Sequence, residues 1–553
     1  MGICASVNSV DSNSNGNQEM KNTTHNNNNN KMHNPLASVK NIYTLKSRQH
    51  ISEFIDFGED DVVLGEGMTG SVLKVKHKVT NEMVALKSVN KKLIRNIKSL
   101  KKEIHLLSEL DHPNVVKLIA SYEDEHYLYM VSELCAGGDL LHQLISADRP
   151  RHCYVEDDAR EIVKQMCRAI YYVHQNNICH RDIKMDNWLF TGDGLDMKLI
   201  DFGLSKRYYN DHDHVRGMKQ FLGTPGFVAP EIQRTHLGET SSYGSEVDVW
   251  SIGVITFCLL SGKMPFKRKG HDCVSLNSKM GRSYQRHYTE KFWKNKISDD
   301  AKDFLDCVLN PDAKERLGVS HLLSHTWFTT SKDNDFEDDQ EKDDTKDNKN
   351  RRKYTLTDDE EFDAELLKRM QYFANADKME KAAMTVLAAA LHQEDILNLR
   401  KTFVEIDTEN DGRISWKDLS KIIKEGHADK ITKTNIHELF HSIVTDGHEE
   451  ESLSYTEFLA ATMDHHLLHA KDRLKEAFKL MDKENTGYID ISDFETLFKN
   501  TPAHATDELS AMIKERSVDG NRISFDNFCA ILDDHHSQNV KSFNNNRVDD
   551  EEE

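Results

Sequence analysis

His180-Arg181-Asp182-Ile183-Lys184-Met185-Asp186-Asn187, with Asp201-Phe202-Gly203 behind it, gathers carboxylates, a lysine and an asparagine into one short segment. Phosphoryl transfer needs little covalent help. It needs positioning, charge neutralisation and a carboxylate to orient the attacking hydroxyl. Asp182 is placed for that last task, Lys184 for the transferring phosphate, and Asn187 and Asp201 for holding Mg²⁺.

Upstream, Gly65-Glu66-Gly67-Met68-Thr69-Gly70-Ser71-Val72 follows the strand-like Asp61–Leu64. Gly65, Gly67 and Gly70 would let backbone amides approach the phosphates of ATP, with Val72 packing on the adenine. A G-x-G-x-x-G run alone also fits a dinucleotide-binding turn, but that turn needs a helix next, whereas Ser71–Lys76 continues as a strand. Val84-Ala85-Leu86-Lys87 then places Ala85 on the nucleotide and Lys87 on its α- and β-phosphates, with Glu103 in the helical stretch Ser99–Leu110 as the ion-pair partner of Lys87. Downstream, Ala229-Pro230-Glu231 pairs in expectation with Arg316, and Asp248 is expected to anchor the catalytic loop from a core helix that includes Val249–Leu260.

From about Phe57 to Phe328 these ordered motifs resemble the eukaryotic protein kinase family, and Lys184 together with Gly223-Thr224-Pro225 resembles its Ser/Thr-specific branch. The resemblance puts Ser132 at the back of the adenine pocket, small enough to leave a rear pocket open, with Glu133 beside it. It lets Asp139 of Gly137-Gly138-Asp139 contact the ribose and a substrate arginine, and so implies protein substrates with an upstream basic residue. Lys87, Asp182 and Asp201, which catalytically silent relatives commonly lose, are all present. Between Gly203 and Glu231 no Ser or Thr occupies the usual activating phosphosite that Arg181 could clasp, which leaves Asp211 or Asp213 as stand-ins and moves the expected switch elsewhere.

That switch is sought behind the kinase. Leu399–Asp407 and Leu474–Asp482 are similar class by class, the mark of an internal repeat. Each opens a loop with oxygen ligands spaced for Ca²⁺. In the first these are Asp407, Glu409, Asp411, the Arg413 carbonyl, Ser415 and Asp418, with Gly412 at the sharp turn. In the second they are Asp482, Glu484, Thr486, the Tyr488 carbonyl, Asp490 and Asp493, with Gly487. Asp446–Glu457 and Ser517–Asn527 are worn copies, yet the apolar pairs Ile414/Leu419, Leu453/Phe458, Ile489/Phe494 and Ile523/Phe528 survive in all four. Both better loops close with Asp, one methylene shorter than the Glu that grips Ca²⁺ with two oxygens. Weaker Ca²⁺ binding, with a shift toward Mg²⁺, is expected.

A kinase, a junction helix and four EF-hand units in this order resemble the calcium-dependent protein kinases of plants and protists. The resemblance implies that Lys368–Leu391, with Lys378-Met-Glu-Lys-Ala-Ala-Met384 at its middle, is an autoinhibitory segment that blocks the kinase until calcium rearranges the EF-hand lobes through an intramolecular contact. A kinase of the same architecture with weak or no calcium dependence, and a silent calcium-binding scaffold, stay open as alternatives.

The remaining sequence bounds the setting. Residues 1–50 are rich in Asn and Ser, read as disordered. They begin Met1-Gly2-Ile3-Cys4-Ala5-Ser6, a myristoylation pattern at Gly2 with Cys4 as a palmitoyl acceptor, which predicts a cytoplasmic protein held peripherally on a membrane surface. A formal net charge of −21 excludes the concentrated basic face that nucleic acid requires, and the nine cysteines show no C-x-x-C pair, as expected of reduced thiols in a monomer. No run reaches the roughly 18–20 apolar residues that cross a bilayer. The expected architecture is α+β: a bilobal kinase fold over 51–328, an acidic linker over 329–362, a junction helix over 363–395, an all-α calmodulin-like domain of four EF-hands over 396–534 and an acidic tail over 535–553.

Overall fold

The computed structural model describes residues 51–532 apart from 147–152, 267–292, 330–359, 426–432, 444–451, 494–510 and scattered gaps of one to three residues. Gly2, Cys4, Asp213, Glu484, most of the expected linker and the acidic tail lie outside the described residues.

Alternating apolar residues build the first lobe. Strands β1 (Ile55–Asp56), β2 (Val62–Gly67), β3 (Gly70–His77), β4 (Met83–Asn90), β5 (Leu118–Glu123) and β6 (Tyr127–Glu133) form one antiparallel sheet in the order β1-β3-β4-β6-β5, with β2 pairing along the same strand as β1. Ile55, Val75, Val84, Leu86, Tyr122 and Val131 fill one face. Val89, Leu128 and Met130 turn the other way and join helix α1 (Ile97–Glu109) in the main core. Gly70 is required where β3 crosses β4, since a Cβ there would lie 1.8 Å from the Ser88 carbonyl oxygen.

The second lobe packs around α5 (Glu246–Ser261), preceded in the chain by α2 (Leu140–Ile145), α3 (Glu156–Gln175) and α4 (Pro230–His236). α5 is buried from Val247 to Leu260, so its apolar run is a core helix. Among the described residues no helix is long and apolar enough to cross a membrane.

Behind the kinase come two junction helices, Glu360–Asn375 and Lys378–Ala390, separated at Ala376-Asp377. Asp377 accepts from the Met379 and Glu380 amides while Glu380 reaches back to the Asp377 amide, a capping box that starts the second helix. Met370, Phe373, Met379, Val386 and Leu387 share one core with Phe403, Phe440 and Phe458, so both junction helices are integral to the EF-hand module. The apolar positions shared by the repeats lie on short strands that pair, Ile414 opposite Leu453 and Ile489 opposite Ile523. Leu419, Phe458 and Phe528 are buried beneath them, while Phe494 lies outside the described residues.

Candidate active site and calcium module

The catalytic loop is held from below. Asp248, buried in α5, accepts from the amides of His180 and Arg181 at 2.8 Å each and lies 2.9 Å from His174 Nε2. Burial alone would raise its carboxyl, but His174, His180 and the amide bond hold it low and ionised. Arg181 has φ of +67° and Asp201 of +63°, left-handed backbone that only a well-anchored loop maintains. The expected clasp of Glu231 by Arg316 is present at 2.6 and 3.1 Å, with the guanidinium 5.1 Å over the Trp250 ring.

Above this floor the charged residues converge. Lys87 Nζ lies 3.1 Å from Glu103 Oε1 and 3.4 Å from Asp201 Oδ1. Glu103 is only 5% exposed while Lys87 and Asp201 are 35% and 45% exposed, so the latter two face an open cleft with Glu103 holding the lysine from behind. Burial opposes the Lys87 charge, but Glu103 and Asp201 outweigh it and raise the ammonium pKa. Asn187 Nδ2 donates to the Asp182 carbonyl at 2.8 Å, which fixes the asparagine beside the catalytic loop. Lys184 Nζ lies 3.3 Å from Asp182 Oδ2, and the Thr224 hydroxyl donates to Asp182 Oδ1 at 2.7 Å. Asp182 is thus oriented on both oxygens. A cleft with two facing cations and two carboxylate or amide oxygens beside them fits a nucleotide phosphate chain and its divalent cation.

Val72 pairs with Lys87 across β3 and β4, and Ala85 pairs with Ser132, which puts all four on the sheet above the cleft. Gly65 and Gly67 lie in β2 as expected. Asp139 and Glu133, both expected at the nucleotide, also have protein partners. Asp139 Oδ1 accepts from the His142 amide at 2.9 Å and so caps α2, and its other oxygen pairs with the His142 ring. The Glu133 carboxylate pairs with Lys198 at 2.8 Å. Arg181 finds neutral partners: Nε donates to the Leu204 carbonyl at 2.7 Å and the fork to Gln220 Oε1 at 3.4 Å. Thr224 of Gly223-Thr224-Pro225 is thus brought onto Asp182, while Gln220, whose local sequence marks no bond to a residue some forty positions away, joins the site through Arg181.

In the EF-hand module the loops take the expected form. Asp407 accepts from the Asp411 and Gly412 amides at 3.1 and 2.9 Å, and Asp482 from the Thr486 and Gly487 amides at 2.8 and 2.6 Å. Gly412 and Gly487 take φ of +77° and +81°. Burial and then Asp411 raise the Asp407 carboxyl to about 7, a crowding of negative charge that a cation would relieve. The closing aspartates fold back on their own loops. Asp418 Oδ2 accepts from Ser415 N at 2.9 Å and Asp493 Oδ2 from Asp490 N at 3.0 Å. Asp418 has both oxygens engaged, since Oδ1 also accepts from the Thr408 hydroxyl, and Asp493 has Oδ2 engaged, where a two-oxygen grip on Ca²⁺ is wanted. Beside the second loop, Arg522 stands opposite Asp490 and over the Tyr488 ring at 4.7 Å, a further cation against metal binding. Glu409 is exposed, and the Arg413 side chain donates to Ser452 Oγ at 2.7 Å.

The module sits against the kinase face opposite the cleft opening. Thr456 donates twice to Asp111 at 2.9 Å, Arg168 Nε donates to Asn410 Oδ1 at 2.6 Å, and Arg400 approaches Asp196 at 3.8 Å. A Cβ on Gly412 would lie 2.6 Å from His112 and 2.7 Å from Tyr172, so the first loop touches the kinase directly. The junction helix expected to block the catalytic residues is packed in the module core in this structure.

Site and scaffold together define a protein kinase joined to an EF-hand module. Residues 59–328 match the protein kinase domain family, and 397–463 and 471–532 match the EF-hand domain pair. The chain is 31% identical over 481 residues to calcium-dependent protein kinase 5 of Plasmodium falciparum (isolate 3D7), covering 86% of this chain and 77% of that one. It is 31% identical over 501 residues to calcium-dependent protein kinase 3 of Plasmodium berghei (strain Anka), covering 89% and 82%. With calcium-dependent protein kinase 33 of Arabidopsis thaliana it shares 28% identity over 522 residues, covering 92% and 88%. The chain belongs to the calcium-dependent protein kinase family: a protein serine/threonine kinase that carries its own EF-hand module, the architecture of a calcium-regulated kinase.

Proposed function

We propose that this chain transfers the γ-phosphoryl group of ATP to serine or threonine hydroxyls of proteins, with Asp182 orienting the hydroxyl and Lys184 facing the transferring group. Lys87, braced by Glu103, would hold the α- and β-phosphates, and Asn187 and Asp201 would hold Mg²⁺, which neutralises phosphate charge when bound. The observation that carries this reading is the simultaneous closure of the Lys87–Glu103 pair and the Thr224–Asp182 bond around one cleft. Calcium would bind the loops beginning at Asp407 and Asp482, with low affinity because their closing aspartates are short and engaged. Its effect would reach the kinase through the face lined by Asp111, Arg168 and Asn410.

Incubating the full chain and Asp182→Asn with ATP, Mg²⁺ and a basic peptide tests the catalytic assignment. Loss of at least about 10³-fold in kcat is expected for the variant, in line with removal of a catalytic-base function together with its positioning. Comparable rates would overturn the role of Asp182.

The Gly2 and Cys4 pattern supports a doubly acylated enzyme on the cytoplasmic face of a membrane, since one chain alone anchors only marginally. Gly2→Ala is expected to move the protein from the membrane to the soluble fraction, and retention would exclude the anchor.

A further inference from the structure

The face between module and kinase lies behind the nucleotide cleft, and its charges reach the cleft from the rear. Lys117, just before β5, sends Nζ to the Ala389 carbonyl at 2.7 Å. Ala389 is in the last turn of Lys378–Ala390, where carbonyls lack intrahelical donors and the helix dipole is negative. An ammonium of the kinase therefore finishes a helix of the EF-hand module.

The same lysine is locked to the strand that leads into the adenine pocket. Its amide donates to Glu133 Oε1 at 2.7 Å, and the Glu133 amide returns a bond to the Lys117 carbonyl at 3.1 Å. Lys198 Nζ meets the same Glu133 oxygen at 2.8 Å. Burial would raise the Glu133 carboxyl, but Lys198 and Lys117 hold it below its ordinary value, while burial pushes the Lys117 ammonium down. Glu133 ends β6 next to Ser132, and Lys198 lies in Met197–Leu199, which runs into Asp201. The Glu133 carboxylate thus joins the Lys117 amide to the strand carrying a candidate magnesium ligand, and the Lys117 side chain links this segment to the end of the junction helix.

We propose that Glu133 and Lys117 are positioning residues for ATP, through which docking of the junction helix end sets the affinity of the cleft for nucleotide. When Ala389 leaves, the Lys117 side chain loses its acceptor, and the Lys117 backbone, which bonds Glu133 through both its amide and its carbonyl, is no longer held from the module side. The coupling is reciprocal by linkage, so ATP binding also favours the docked helix. This inference rests on the reading of the cleft as an ATP site. It places the control on nucleotide binding, separately from the orientation of the hydroxyl by Asp182.

The test is steady-state kinetics on the full chain with ATP and a basic peptide, comparing wild type, Lys117→Met and Lys117→Arg. Lys117→Met is expected to raise KM for ATP about tenfold, equivalent to about 1.4 kcal/mol, with kcat changed by less than about twofold. Lys117→Arg, which can still cap the helix, is expected to restore most of the affinity. Should Lys117→Met fail to fold, the module-side pair Arg400→Gln with Thr456→Val weakens docking without altering the kinase, and it should raise KM for ATP in the same direction. A wild-type KM in Lys117→Met, or in the folded module-side pair, would overturn the coupling. So would a fall in kcat alone. A wild-type chain without turnover would instead overturn the functional reading beneath it.

Discussion

Asp182, Asp248 and Arg316 each do what their residue type allows in a low-dielectric setting. The carboxylate of Asp182 is turned by a hydroxyl and an ammonium, that of Asp248 by two amides and an imidazole, and Arg316 reaches Glu231 with two nitrogens. These were legible in the sequence because each sits in a dense motif whose chemistry leaves one reading. Asp139, expected at the ribose, also caps α2 by accepting from the His142 amide, a local role that its motif does not announce. Removing Arg316 strands Glu231, which is 8% exposed at its side chain. Arg316→Ala is expected to destabilise the kinase by about 3–5 kcal/mol, as when one partner of a buried ion pair is deleted. Denaturant unfolding of the kinase transition checks this, and an unshifted midpoint would contradict it.

At the scale of elements, periodicity carried most of the information. Val249–Leu260 announced a buried helix, and the Ile414, Leu453, Ile489 and Ile523 slots gave the strand pairs of both EF-hand lobes. The apolar period over the junction admits one helix or two without placing the break at Ala376-Asp377, where Asp377 and Glu380 form a capping box. Arg516, which bonds to Asp377 from the worn fourth unit and approaches Glu380 at 3.5 Å, was missed. A long-range ion pair between polar residues leaves no periodic trace. The Asp closures of the calcium loops make a prediction at this scale. Asp418→Glu with Asp493→Glu should tighten calcium binding, because a longer side chain can offer two oxygens to the ion. Calorimetric titration of the full chain is expected to show a lower Kd, and an unchanged or higher Kd would contradict this account of the loops.

Across the whole molecule, the kinase cleft opens on one side and the EF-hand module seats on the other, joined through Asp111, Lys117, Arg168 and Asp196. The sequence named both parts and their order. It left their relative placement unread, since the contacts span up to 345 residues and fall on side chains that look like ordinary solvated charges. With Arg181 held by Leu204 and Gln220, the module is the part of the chain best placed to govern catalysis. The most direct test follows peptide phosphorylation by the full chain at fixed ATP and Mg²⁺ through a calcium titration from excess chelator, beside Asp407→Asn with Asp482→Asn. The wild-type rate is expected to rise with calcium while the double variant stays at the chelator level. Equal wild-type rates in chelator and in saturating calcium would contradict the central claim.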